Sequence, residues 1–312
     1  MKKLLSVFAV LLLAFLFVGC TEETTVSTDP VVYSVIAPNG SPAIAQMYMQ
    51  QNTAHYAVDV VSGPDPLLAA FGSASHDFIF APTNLGAKLY TANQSYIFIA
   101  AVTFGNYYLV TSTESTFDLA SLAGKEIVVF GQNQTSDIVL RYVLSENDIT
   151  ATYSYVADVA TAVSTWVMDN SKIVMVAEPS LSVLLASHPD LDVIDLQTAY
   201  EDITGSNSYP QAGVFAKATL SNEAIDQFLT DLEASIDAVN SNVADSATLG
   251  VDLGFGFPYA VLVNAIPNSH LDFQGALEVK SSLEAYFSII LDLNPVLIGN
   301  ALPVDDFYYQ PE

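Results

Sequence analysis

From Tyr33 onward the chain alternates short runs of β-branched and aromatic residues with longer stretches in which apolar residues recur every three or four positions. The run "YSVIAP" predicts a strand, and "SPAIAQMYM" a helix beginning near Ser41 with Pro42 in its first turn, where a missing amide proton costs nothing. "YAVDVV" predicts a second strand, "PDPLLAAFG" a short helix, "DFIFAPTNLGAKLY" a strand that breaks at Pro82 before another helix, and "SYIFIAAVTF" a long strand. The same grammar then returns. "EIVVFGQNQTSDIVLRYVL" reads as strand, polar loop and helix, "ATYSYV" as a strand, "ADVATAVSTWVMD" as a helix, and "KIVMVAEPSLSVLL" as a strand that breaks at Pro179 into a helix. Strands alternating with helices predict parallel sheets with crossover connections, an α/β fold. Ala37 to Ala81 and Phe130 to Ala177 span similar lengths in the two runs, so two homologous-looking halves are the economical reading. Any doubly wound domain also carries some self-similarity, which is the alternative.

Between the runs lies "GNYYLVTSTESTFDLASLAGKE", extended at first and then polar; after the second run comes "YPQAGVFAK", also extended. Two extended segments crossing between two lobes predict a hinge. An almost wholly helical tail follows from "SNEAIDQFLTDLEASIDAV", with Ser221 as its N-cap and Leu229, Leu232 and Ile236 continuing an apolar stripe. The expected organisation is residues 31–106 as the first part of lobe 1, 107–216 as lobe 2, and 217–312 as the completion of lobe 1 with C-terminal helices.

The N-terminus has a different pattern: Met1-Lys2-Lys3, a run from Leu4 to Val18 that is apolar but for Ser6, then Gly19-Cys20 and the polar "TEETTVSTDP". The apolar run is shorter than the ~20 residues a membrane span needs and has no stop-transfer flank, so it reads as an export signal. Phe17-Val18-Gly19-Cys20 resembles the bacterial lipobox, which implies a signal peptide over 1–19, diacylglycerol on the Cys20 thiol, and a lipidated flexible linker over 20–30. An ordinary signal followed by a free cysteine is the alternative. Cys20 is the only cysteine, so disulfides are excluded, and a lipidated thiol also removes cysteine catalysis and metal ligation.

Eight Lys and Arg against 34 Asp and Glu give a formal net charge of −26. Such a balance repels phosphate backbones and anionic membrane surfaces, which excludes a nucleic-acid partner. It suits salty surroundings, where screening weakens self-repulsion.

In open parallel sheets ligands sit beyond the carboxyl ends of the strands, where loops feed helix N-termini. Applied to both halves, that rule selects Asn39-Gly40-Ser41, Thr83-Asn84, Gln132-Asn133-Gln134-Thr135 and Glu178. A helix start offers unpaired backbone N–H groups and a partial positive end, so polar or anionic atoms bind there without an arginine. Simple N-capping would select the same residue types. Glu178, a carboxylate at a strand end, suits a ligand amine or the dipole of its own helix. Tyr107, Tyr108, Trp166, Phe255, Phe257 and Tyr259 could stack on a planar ligand or pack in the core.

Enzyme signatures are missing from the sequence. His55, His76, His188 and His270 have no metal-ligand spacing, and no G-x-S-x-G, Walker or complete G-x-G-x-x-G motif occurs. The expected protein is a binder with no catalytic residues, metal or cofactor.

Taken together, "APNGSPAIA", "DPLLAAF", "DFIFAPTNLGAKLY", "FDLASLAGKEIVVFGQN", "AEPSLSVL", "YPQAGVFAK" and "NPVLIGNALPVDDFYY" resemble the lipoprotein solute-binding components of ABC importers. The group in question contains thiamine-precursor, alkanesulfonate, taurine and nitrate binders. The resemblance implies a type II periplasmic-binding-protein fold, two doubly wound lobes joined by a two-segment hinge, with a small-molecule solute clamped between them. It implies a monomer anchored on the extracytoplasmic face of a bacterial cell membrane, which hands its solute to ABC permease subunits. Family binding positions map onto Ser41, Thr83, Asn84, Asn106 in the hinge, Gln132, Asn133 and Glu178, and the loop reading adds Thr135. No Lys or Arg lies in these loops, a departure from sulfonate and nitrate binders that points to a heteroaromatic or amine-bearing solute. A cofactor-biosynthesis enzyme on the same fold, or a ligand-sensing lipoprotein without a permease, are the rival readings.

Overall fold

The computed structural model describes residues 31–112, 116–206 and 208–311; the expected signal peptide, Cys20 and the linker lie outside them. The first run folds as β1 (Tyr33–Pro38), α1 (Ser41–Ala45), β2 (Tyr56–Val61), α2 (Asp65–Ser73), β3 (Phe78–Pro82), α3 (Thr83–Asn93) and β4 (Tyr96–Phe104). Then come β5 (Tyr107–Thr111), β6 (Glu126–Phe130), α4 (Thr135–Glu146), β7 (Thr152–Val156), α5 (Val159–Met168), β8 (Ile173–Ala177), α6 (Ser180–Ser187), β9 (Asp192–Asp195) and α7 (Leu196–Thr204). The chain ends with β10 (Pro210–Lys217), α8 (Asn222–Ser241), α9 (Val243–Asp252), α10 (Tyr259–Asn268), β11 (Leu271–Gly275) and α11 (Ala276–Leu293).

These strands form two sheets, ordered β11-β4-β10-β3-β1-β2 and β7-β6-β8-β5-β9. In each, the first strand of a run sits between the other two in parallel: β1 between β3 and β2, and β6 between β8 and β7. An antiparallel strand then closes onto the third, β10 on β3 and β5 on β8. The repeat expected from the sequence is therefore a repeat of topology. Central strands such as β3 and β8 are buried on both faces, which is why they are continuous runs of Phe, Ile, Val and Met and not alternating ones.

The chain crosses from the first sheet to the second between Phe104 and Tyr107, and returns between α7 and β10. Gly105 makes the first crossing: its φ of +49° is left-handed, and a Cβ there would run into the Gln197 side chain. The return lies earlier than the boundary expected at 216, because Pro210–Lys217 is already a strand of the first sheet, paired with β3 and β4. An apolar run with both neighbours antiparallel looks, in sequence, the same as an unpaired extended linker. The tail is also less helical than expected, since β11 pairs with β4 at the edge of the first sheet. Ser221 caps α8 as expected, its side chain accepting from the Ala224 amide.

The larger core runs from the first sheet through the crossing and onto one face of the second, and a smaller core around Trp166, Val110 and Val176 fills the other face. At the crossing it is built of tyrosines: Tyr107 and Tyr209 stack at 6.3 Å, and Tyr209 stacks on Tyr286 at 5.9 Å. This apolar joint holds the carboxyl ends of both sets of parallel strands toward one another.

Candidate functional site

Where those strand ends meet there is a cavity of about 380 Å³. Its walls are the loops at 39–42, 62–64 and Pro82 from the first sheet and those at 130–131, 157–160 and 177–180 from the second, with Asn106, Tyr107 and Gln211 at the crossing. Phe255 and Phe257, just ahead of α10, close one side. Each loop delivers the start of a helix, so the backbone at the wall is rich in N–H groups at positive dipole ends. The side chains are mainly Pro, Gly, Ala and Phe, and no Lys or Arg is among them.

A chain of buried hydrogen bonds ties this wall together. Asn106, on the first crossing, and Gln211, at the start of β10, pair reciprocally: the Asn106 amide donates to Gln211 Oε1 at 3.1 Å, and Gln211 Nε2 donates to Asn106 Oδ1 at 2.8 Å. Asn106 Nδ2 donates to Ser41 Oγ at 2.7 Å, and Ser41 Oγ donates to the Glu178 carbonyl at 3.3 Å. The sequence of contacts runs from the crossing through the first half to the second. Every member is buried, so losing any one leaves partners that water cannot easily satisfy.

Glu178 is only 4% exposed. Its carboxylate is folded back onto α6, where Oε2 accepts from the Ser182 amide at 3.1 Å and Oε1 from the Ser182 hydroxyl at 3.0 Å. Burial pushes its pKa up to about 7, the two bonds from Ser182 pulling the other way.

Of the sequence-selected residues, Asn39, Gly40, Ser41, Asn106, Gln134 and Glu178 line the cavity. Thr83, Asn84 and Thr135 are buried beside it and join chain segments instead. Thr83 Oγ1 donates to the Pro210 carbonyl at 2.8 Å, Thr135 Oγ1 to the Gln211 carbonyl at 3.3 Å, and Asn84 Nδ2 to the Asn133 carbonyl at 3.1 Å. Gln132 and Asn133 are exposed and outside the lining. Asn133 has φ +61° and donates its amide to Asp137 Oδ2 at 2.9 Å, a turn that brings Gln134 to the wall in their place. Among the candidate aromatics, Tyr107, Phe255 and Phe257 reach the cavity, Trp166 is locked in the smaller core and Tyr259 is exposed. Sequence reasoning missed Phe130 and Asp158 as wall residues. Asp158 alone carried a signal, as the N-cap of α5, whose side chain accepts from the Thr161 amide. Among the described residues, no group of three or more His, Cys, Asp and Glu is placed to hold a metal ion.

The Asn84 bond joins the two halves of the molecule. Asn84→Ala is expected to loosen their approach, since it removes the bond to the Asn133 carbonyl, a net loss of about 0.5–1.5 kcal/mol. Small-angle scattering without ligand should show a larger radius of gyration for the variant; superimposable curves would remove Asn84 as a bridge.

Comparison with known proteins locates this architecture. No family model matches the chain, and no curated protein matches it. Solved structures do. An ABC transporter protein from Parabacteroides distasonis aligns over 90% of this chain and 99% of its own, with a TM-score of 0.78 at 21% identity. The periplasmic aliphatic sulphonate binding protein SsuA of Escherichia coli aligns over 91% of this chain and 93% of its own, with a TM-score of 0.71 at 14% identity. The alkanesulfonate-binding protein SsuA of Xanthomonas axonopodis, solved with MOPS bound, covers 89% and 96% with a TM-score of 0.67 at 17% identity. A Candida albicans protein described as having the generic periplasmic binding protein fold aligns with a TM-score of 0.57 at 14% identity. The chain has the periplasmic-binding-protein fold, and the neighbours named as transporter binding proteins are of the group its sequence resembles.

Proposed function

We propose that this protein is the solute-binding component of an ABC importer, lipid-anchored through Cys20 outside the cell membrane and clamping one small molecule between its two lobes. The observation that carries the reading is the cavity of about 380 Å³, walled by helix starts from both sheets, with Asn106 of the first crossing and Gln211 at the start of β10 beside them. A ligand touching both halves stabilises their closed arrangement by its differential contacts, and closure is what a permease can sense. The lobes of this reading are residues 31–106 with the tail, and the segment from 107 to the return crossing.

The wall chemistry supports a heteroaromatic or amine-bearing solute. Tyr107, Phe130, Phe255 and Phe257 offer ring faces and edges, and the lining has no cationic side chain to pair with a sulfonate or nitrate. A cavity of this size suits a molecule at the small end of protein ligands. Anchoring by the multiple acyl chains of a bacterial lipoprotein keeps the receptor at high local concentration near its permease.

Titration calorimetry against pyrimidines, flavins, amines and sulfonates tests the reading, with scattering on the best binder. One of the first three classes is expected to bind with a fall in radius of gyration. At a hundred times its dissociation constant it should raise stability by about 2.7 kcal/mol. Binding without compaction would overturn the clamp, and turnover of the bound compound would overturn the receptor in favour of an enzyme.

A further inference from the structure

A second crevice, of about 540 Å³, opens on the other side of Glu178. One wall belongs to the second sheet: Tyr108 on β5, the Glu178 side chain, Asp195 at the end of β9, and Leu181 and Leu185 on α6. The other is α10 and the turn after it, carrying Asn264, Asn268 and His270. No Lys or Arg lines it.

Its polar groups share one property. Asn264 Nδ2 donates back to the Ala260 carbonyl at 2.8 Å and Asn268 Nδ2 to the Asn264 carbonyl at 2.9 Å, which leaves both side-chain carbonyl oxygens as acceptors. His270 Nδ1 lies against the Phe104 and Gly105 carbonyls, so it carries a proton and, in the neutral ring, leaves Nε2 to accept. Glu178 and Asp195 are carboxylates whose bonds come from Ser182 and from the start of α7, and each oxygen has lone-pair capacity beyond them. Tyr108 is 93% buried as a residue, and its hydroxyl, with no hydrogen-bond partner among the described residues, is not one of the enclosed polar atoms but stays open to the crevice it lines; both carboxylates act electrostatically on it. A crevice with negative charge, acceptors on both walls and a phenol hydroxyl unpartnered within the protein suits a cation rich in N–H donors.

We propose that this crevice is a second binding site, for a small aliphatic amine in its ammonium form, held between Glu178, Asp195 and Tyr108 on one side and the Asn264 and Asn268 carbonyls on the other. The alkyl part lies on Leu181 and Leu185. An organic ammonium fits better than a bare metal ion, because the described residues place no ligand set of three His, Cys, Asp or Glu, and half of the wall is apolar or amide. The site is separate from the first cavity, whose lining does not include Tyr108, Asn264 or Asn268. Glu178 lines both.

Calorimetry of the purified protein with n-butylamine, 1,4-diaminobutane, n-butanol and butyrate at pH 8 and low salt tests the proposal. Both amines are expected to bind saturably, and butanol and butyrate at least about tenfold more weakly, the discrimination that charge-assisted hydrogen bonds supply. Replacing Asn264→Ala and Asn268→Ala together, on the exposed side of α10, should weaken the amines about tenfold. Tyr108→Phe, which keeps the ring, should weaken them several-fold. Butanol binding as well as butylamine, or unchanged affinity in a folded double variant, would overturn it. Competition between the amines and a solute of the first cavity would do the same, since it would place both in one site. A failure to find any solute for the first cavity leaves this test unaffected.

Discussion

Alanine at position 86 should cost the protein about 1–3 kcal/mol, the usual range for an overpacked core. Gly86 lies in the second turn of α3 under the ring of Phe215, and a Cβ built on it would fall within that ring. The ring cannot retreat. Phe215 is fully buried on β10, with Phe71 at 5.4 Å, Phe98 at 5.6 Å and Phe307 at 6.2 Å around it. The intrinsic gain from putting alanine in a helix, about 1 kcal/mol, is smaller than the clash and opposes it only partly. Gly86→Ala should therefore show a lower midpoint in chemical denaturation, and Phe215→Leu in the same chain should restore part of the loss. A double-mutant cycle with no coupling energy would show that the close approach of helix and strand is not the cause.

The second large effect concerns pH. Glu178 is held near pKa 7 in the folded protein, against the ordinary glutamate range near 4.5 in the unfolded chain. The folded state thus binds the extra proton, and stability falls as pH rises from about 4.5 through about 7. At 1.36 kcal/mol per pH unit the full effect is about 3 kcal/mol. Glu178→Gln keeps a carbonyl oxygen to accept from the Ser182 amide and removes the charge. The variant should match the parent at pH 5 and exceed its stability at pH 8 by about 3 kcal/mol. If the difference between the two does not change with pH, the buried carboxylate is not the source of the slope. The same variant loses a charge from the amine crevice, so its gain in stability would be accompanied by weaker amine binding.

Much of the fold could be read from the order of residues because the physical signals are local. Strand runs, proline breaks and polar loop clusters are written in a few consecutive positions, and their recurrence foretold two equivalent halves. The wall of the first cavity was legible in part, since the rule that ligands sit beyond strand ends points to loops. It does not say which residue of a loop turns inward. At 131–135 that choice is made by the left-handed backbone of Asn133, which turns Gln134 to the cavity and leaves Gln132 and Asn133 in solvent. Asn84 and Thr135 look like ligand-binding side chains in sequence, and they spend their hydrogen bonds on one another's segments.

By itself, the sequence determined the alternation of strands and helices, the strongly acidic charge balance, and the lack of a second cysteine for a disulfide within the chain, because each follows from residue type and local spacing. Only the tertiary structure decided that β10 returns to the first sheet, that Asn106, Gln211, Ser41 and Glu178 form one buried chain of bonds, and that a crevice of acceptors lies behind Glu178. Those features depend on which groups are left unpaired once distant segments have packed, and hydrogen-bond capacity is settled only when every neighbour is in place.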